Sequence, residues 1–150
     1  MKEKIPNFDI EPIKNIKSDV IKLKSFIKNS EENVKNFRYF LNRDLSILGN
    51  HVYTILLKID QEYLGYAHLD KEEDDIWLGI SISKKIQGLG FGKILMENLI
   101  SYAKKMNLKE IKLSVDFENT KAEHLYKNHG FKLLERNTKK QISIYVLNLY

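Results

Sequence analysis

The stretch Ile76-Trp-Leu-Gly-Ile-Ser-Ile-Ser83-Lys-Lys-Ile-Gln87-Gly-Leu-Gly-Phe-Gly-Lys93, running on through Ile94-Leu-Met-Glu-Asn-Leu-Ile-Ser-Tyr-Ala-Lys-Lys-Met106, decides how the chain is read. Ile76, Leu78, Ile80 and Ile82 alternate at period two, with Trp77 out of phase, as in a strand with one face in a core. From Phe91 the period changes to that of a helix, with Phe91, Leu95, Leu99, Tyr102 or Ala103, and Met106 on one face. Lys104 and Lys105 stand in its last turn, where cations complement the carbonyl end. Between strand and helix lies a turn with glycines at 88, 90 and 92. Glycine supplies positive φ in a tight turn, and it also lets a ligand approach the backbone without Cβ interference. A helix start adds unpartnered N–H groups and the positive end of the dipole, so an anion such as pyrophosphate is the natural occupant.

Two phosphate loops are excluded by spacing. A Walker A loop needs glycine where Gln87 stands and Ser or Thr where Ile94 stands. The dinucleotide fingerprint G-x-G-x-x-G meets Lys93 in its last slot.

Working outward, His51–Ile59, Tyr63–Leu69 and Ile76–Ser83 read as three strands joined by short charged turns, which implies antiparallel pairing. That order lacks the crossover helices of a doubly wound nucleotide fold. Glu110–Phe117 alternates as a further strand, and strand, helix, strand at this length implies that 76–83 and 110–117 run parallel. Upstream, Phe8, Ile10 and Ile13 suggest a short first strand, Ser18-Asp19 a helix cap, and Ser30-Glu-Glu-Asn33 the start of a second helix. Downstream, Asn119-Thr-Lys-Ala122-Glu-His-Leu125-Tyr126-Lys-Asn-His-Gly130-Phe131 reads as a helix capped by Asn119 and ended by Gly130, with Ala122, Leu125, Tyr126 and His129 on one face. The next strand is expected to start at Phe131.

At 150 residues the chain is expected to form a single domain, 1–150. It has no cysteine, which excludes disulfides, a thiolate nucleophile and zinc–thiolate sites. No apolar run approaches the ~20 residues of a membrane span, and Met1–Pro6 lacks a signal core, so a soluble cytoplasmic protein is expected. The net charge of +5 is spread among interspersed Lys and acidic residues without a basic arm, which argues against nucleic acid.

Gln87-x-x-Gly90-x-Gly92 between strand and helix, with N-x-x-A-x-x-L-Y-x-x-x-G-F from Asn119 to Phe131 beyond it, resembles the two signatures of the GNAT superfamily of N-acetyltransferases. The resemblance spans residues 76 to 131 and extends to the order of the upstream elements. It implies an α/β (α+β) fold: a mixed sheet of about six to seven strands with an antiparallel N-terminal meander and a splayed parallel pair, flanked by about four helices. It implies acetyl-CoA as cofactor, without a metal, and a monomer or homodimer. In that family the strand corresponding to 76–83 parts from its parallel neighbour and the pantetheine arm enters the gap, so Ile80, Ser81 and Ile82 are expected to line it. The pyrophosphate is expected on the turn Gly88, Leu89, Gly90, Phe91, Gly92 and Lys93, braced by Gln87, with Asn119 and Tyr126 completing the cofactor site. Lys84 and Lys85, with Lys93, stand where a further phosphate would be.

The chemistry implied is acetyl transfer from a thioester to a primary amine. Tyr126 matches the family's general acid, a phenol of pKa ~10 that keeps its proton at neutral pH. Where members acting on protein N-termini carry glutamate, this chain has Ser114, which cannot serve as a base and argues against that substrate. Asp75 is the first candidate for the base, ahead of His68 and Asp70. Two of the chain's three arginines, Arg38 and Arg43, flank Tyr39, and this group suits an anionic or hydroxylated acceptor. The acceptor expected is therefore a small amine bearing phosphate or carboxylate, such as an amino sugar, its nucleotide-linked form, or an amino acid, bound by Arg38, Tyr39, Arg43 and His68. Alternatives are a protein N-terminal or lysine acetyltransferase and, of another class, a non-catalytic acyl-CoA-binding regulatory domain.

Overall fold

The computed structural model describes residues 4–30 and 44–150. The second helix expected from Ser30, with Arg38, Tyr39 and Arg43, falls on residues outside these. Seven strands form one sheet in the order β1-β2-β3-β4-β5-β7-β6. They are β1 (Asp9–Pro12), β2 (His51–Ile59), β3 (Glu62–Glu72), β4 (Asp75–Ile82), β5 (Glu110–Asp116), β6 (Lys132–Asn137) and β7 (Ile142–Asn148). Three α-helices among the described residues, α1 (Lys17–Asn29), α2 (Phe91–Lys105) and α3 (Thr120–Asn128), cover it. Every neighbouring pair of strands is antiparallel except β4 and β5. The mixed sheet, the meander and the parallel pair are as the sequence implies.

Strand periodicity sorts the core into two layers. On one face Ile55, Leu57, Ala67, Leu69, Leu78, Leu113 and Val115 meet Phe91, Leu95, Met96 and Leu99 of α2, with Tyr126 and Phe131. On the other, Leu56 and Tyr66 meet Leu23 and Phe26 of α1, and the Phe26 and Tyr66 rings stack at 5.7 Å. Adjacent residues on a strand point oppositely, so Leu56 and Leu57 serve different layers.

Several boundaries differ from the sequence reading, β4 (Asp75–Ile82, not 76–83) and the end of β5 (Asp116, not Phe117) by one residue. The cap of α1 is Ile16, not Ser18-Asp19, and it makes no side-chain cap bond. Asp19 instead lies in the first turn and accepts a 2.9 Å hydrogen bond from the Lys14 backbone N–H, which holds the chain entering the helix. β3 continues past Leu69 to Glu72, because its ladder with β4 runs on through Asp70↔Trp77 and Glu72↔Asp75. β6 starts at Lys132, one residue after Phe131.

Gly65 shows how closely α2 sits on the sheet. A Cβ at this position would stand 2.8 Å from Leu57 Cβ and 3.4 Å from Leu95 Cδ1. Gly65→Ala should therefore destabilise the fold by about 1–3 kcal/mol through overpacking. Denaturant unfolding would measure this as a lower midpoint at an unchanged slope.

Candidate active site

The site is built around the fork between β4 and β5. Their parallel register consists of the single pair Trp77↔Lys112. Beyond it β4 keeps its ladder with β3 through His68↔Gly79 to Gly65↔Ile82 but has no register partner on β5. At the narrow end, Lys112 Nζ reaches Asp75 Oδ1 at 3.0 Å and Glu110 Oε1 at 3.8 Å, tying the strands together where they begin to part. The hydrogen bond to Asp75 is the main reason the Lys112 ammonium holds its proton above its ordinary value.

A cavity of about 930 Å³ occupies the fork. Of the residues expected to hold the cofactor, Ile80, Ser81, Ile82, Gln87, Gly88, Gly90, Phe91, Gly92, Lys93, Asn119 and Tyr126 all line it. Leu89 does not, and packs against the larger core cluster instead. The Gln87 amide donates to the Ile82 carbonyl at 3.3 Å, bracing the turn against the end of β4.

The three glycines have two different reasons to be there. Gly88 and Gly90 have φ of 81° and 91°, in the left-handed region, and no atom lies within 4 Å of where a Cβ would be. Gly90 is also the N-cap of α2, and it brings no side chain to the first N–H groups of that helix. The turn is thus an open cradle with unanswered donors at a helix start, which fits a pyrophosphate. Gly92 does not need positive φ. Its Cβ would stand 3.3 Å from Leu125 Cδ2 and 3.4 Å from Ile82 Cδ1, so it is small because α2, α3 and β4 converge there. The lysines beside the turn are engaged: Lys85 pairs with Glu62 at 3.2 Å and Lys93 with Glu97 at 4.0 Å.

Tyr126 is placed by α3, whose N-cap Asn119 accepts a 3.3 Å hydrogen bond from the Ala122 N–H. Its ring is buried, 5.9 Å from that of Phe131, yet it forms part of the cavity wall. Burial alone pushes the phenol up to about 12. It therefore keeps its proton at any physiological pH and is a donor rather than a base.

The base candidates separate. Asp75 is held by Lys112 and is not part of the cavity wall. His68 and Asp70 line the cavity, and both are only 2% exposed. Both belong to β3, whose ladder with β4 carries them into the sheet. The His68 ring lies over Gly79, and its Nδ1 is 2.5 Å from the Tyr66 hydroxyl. Ser114, in the place of the family's glutamate, also lines the cavity.

The sequence reading did not single out several wall residues. Glu72 and Asp116 add carboxylates, while Ile142 and Ile144 of β7 add an apolar side. Trp77 was visible only as the residue breaking the alternation of β4. That break was the available signal, since it puts the indole on the face opposite Leu78, together with His68 and Asp70 of β3. Among the described residues no group of three or more His, Asp or Glu could hold a metal ion, and no helix is long and apolar enough to cross a membrane.

The sheet is thus forked between two parallel strands, with a glycine cradle at one mouth of the gap and a buried phenol in its wall. The model of the acetyltransferase (GNAT) family matches residues 18–131, and the chain belongs to that family. Solved structures with the same fold include a GNAT-family acetyltransferase from Streptococcus pneumoniae (TM-score 0.74, 20% identity, covering 93% of this chain and 99% of that one). Another is a GNAT-family acetyltransferase from Staphylococcus aureus (TM-score 0.70, 20% identity, 95% and 100% covered). A third is the ribosomal-protein-S18-alanine N-acetyltransferase of Escherichia coli (TM-score 0.66, 18% identity, 94% of each chain covered). No curated protein sequence matches the chain.

Two outcomes are expected of this site. A phenol whose folded pKa lies near 12 against about 10 unfolded leaves stability untouched below pH 10. Stability then falls as pH rises from 10 towards 12, because the unfolded chain ionises first. Tyr126→Phe should make that alkaline loss shallower. It should also remove one of the late phenolates from an absorbance titration, leaving Tyr63, likewise pushed up to about 12. Separately, acetyl-CoA should raise the melting temperature, and Gly90→Asp should abolish the rise by placing a carboxylate in the cradle. A thermal shift that survives this substitution would remove the turn from the cofactor site.

Proposed function

We propose that the protein transfers acetyl from acetyl-CoA to a primary amine by direct attack, with Tyr126 as the general acid. The observation that carries this is the single cavity shared by the glycine turn, Tyr126 and the His68–Asp70 stretch of β3. Bound there, acetyl-CoA supplies an activated acetyl thioester. The turn from Gly88 to Lys93 holds the pyrophosphate, and the edge of β4 that faces the fork receives the pantetheine amides as a sheet receives an added strand. Tyr126 gives its proton to the leaving sulfur. Burial holds the proton on the phenol until a base develops beside it, and the same burial makes the departing thiolate a stronger base. Asp75 belongs to the clamp on Lys112, and in this reading it does not take part in proton transfer.

The acceptor we favour is a small amine that carries its own anionic group. Its ammonium end suits the wall formed by His68, Asp70 and Glu72, and its carboxylate or phosphate suits Arg38 and Arg43, with Tyr39 as a hydroxyl partner. The absence of glutamate at Ser114 supports a small metabolite over a peptide N-terminus.

A thiol-release assay with acetyl-CoA against amino acids, amino sugars, nucleotide-linked amino sugars, peptides and polyamines tests the reading. Turnover should be highest on an anionic amine. Tyr126→Phe should lower kcat roughly 10²-fold while leaving acetyl-CoA affinity nearly unchanged. Arg38→Ala and Arg43→Ala should raise the acceptor KM alone. Efficient acetylation of spermidine, indifferent to both arginine substitutions, would overturn the acceptor assignment. Tight acetyl-CoA binding without turnover on any amine would indicate a regulatory domain instead.

A further inference from the structure

We infer that His68 is the base that deprotonates the acceptor amine, with Tyr66 as the residue that fixes its tautomer and Gly79 as the notch that admits its ring. The inference rests on the acetyltransferase reading and adds to it the residue that accepts the proton.

Three independent features place the imidazole. His68 and Gly79 are paired in the β3–β4 ladder, and both line the cavity. A Cβ on residue 79 would lie 2.7 Å from Nε2 and 2.8 Å from Cε1. Any side chain on β4 at this point would therefore displace the ring, and the absence of one lets the Nε2–Cε1 edge lie flat over the strand at the cavity wall. On the other edge, Nδ1 is 2.5 Å from the Tyr66 hydroxyl, and Tyr66 is itself fixed by stacking on Phe26 of α1. His68 in this role is the tautomer in which Nδ1–H donates to the phenol oxygen, which leaves the lone pair on Nε2, the nitrogen over Gly79. A buried imidazole held on both edges loses little freedom in the reaction.

Charge around the ring is consistent with this role. The titratable groups on its side among the described residues are His51 of β2, with ring centroids 4.7 Å apart, and Tyr66, Asp70 and Glu72 of β3. His51 is occupied at Nδ1 by Thr54 Oγ1 at 2.7 Å. β4 presents Asp75, Trp77, Gly79 and Ser81 on this face, and the one ionisable group among them, Asp75, is paired with Lys112 at 3.0 Å at the far end of the strand. Across the cavity stand Asp116 of β5 and Tyr126 of α3. Asp70, two residues along the same face of β3, puts a carboxylate where it compensates an imidazolium once one forms.

The proton inventory closes. An ammonium acceptor gives one proton to His68 Nε2 and becomes a neutral amine. Its nitrogen forms the N–C bond as the C–S bond of the thioester breaks, and sulfur takes the Tyr126 proton. The surplus proton on nitrogen returns to the Tyr126 oxygen, and His68 releases its proton to solvent. One proton leaves per amide formed.

The test uses the full chain. In a ¹⁵N-edited histidine spectrum of the protein without acetyl-CoA, His68 should appear at neutral pH as the Nδ1–H tautomer, and Tyr66→Phe should shift it toward a mixture. In turnover, His68→Gln should lower kcat/KM for the amine roughly 10²-fold and remove the rise of rate on the acid side. The acetyl-CoA thermal shift should remain. Tyr66→Phe should move that acid limb while reducing kcat less than His68→Gln does. An Nε2–H tautomer would overturn the inference whatever the activity. Wild-type turnover with an unchanged rate and pH limb in His68→Gln would overturn it while leaving the acetyltransferase reading intact. A wild type that acetylates no primary amine would overturn both.

Discussion

The parting of β4 from β5 after Trp77↔Lys112 is the constraint on which the rest of this structure depends. A strand inside a sheet ordinarily has both edges satisfied, and an edge left open in a half-dry gap is costly. Here the opening is supported from three sides. Lys112 bridges Asp75 and Glu110 at the vertex, the β3–β4 ladder stays continuous along the other edge of β4, and Gln87 occupies the Ile82 carbonyl where the strand ends. The length of β4 between these supports is therefore a defined stretch of backbone facing the fork.

Much of this was legible in the sequence because it is written in short-range signals. The change of period between Ile82 and Phe91 locates the strand-to-helix junction, and a glycine spacing with Asn119 and Tyr126 downstream needs no tertiary knowledge to be noticed. Less legible was anything decided across strands. Asp70 looked like a turn residue because charged positions 70–75 follow the last apolar alternation, yet pairing with Trp77 carries the ladder through it. Gly92 looked like its two neighbours, but the contacts that require it come from Leu125 and Ile82, one on another helix and one on the preceding strand. Asp75 had the composition of a base at a strand end. Only the position of Lys112, 37 residues away, shows it to be half of a clamp.

The buried phenol and the exposed lysines illustrate opposite uses of dielectric. Tyr126 lies where burial alone sets its protonation, so its state is insensitive to salt and to surface charge. The lysines near the turn are in water, and their pairs with Glu62 and Glu97 are of the exposed kind worth about 0–1 kcal/mol. Such pairs are easily exchanged for a phosphate, which offers more charge and more acceptors. They hold the cationic side chains close to the cradle without committing them.

This division explains why the turn itself carries no cation at its centre. A lysine fixed inside the cradle would need its own buried partner, and breaking that pair on binding would cost several kcal/mol. Backbone N–H groups at the start of α2 have no such competitor, because Gly90 as N-cap brings no side-chain acceptor to them. In the proposed reading an anion would meet donors fixed in the fold, and Lys85 and Lys93 would add long-range attraction that weakens with salt. On that reading two of the 25 cations that make up the chain's net charge of +5 stand where they would serve the mouth of the fork.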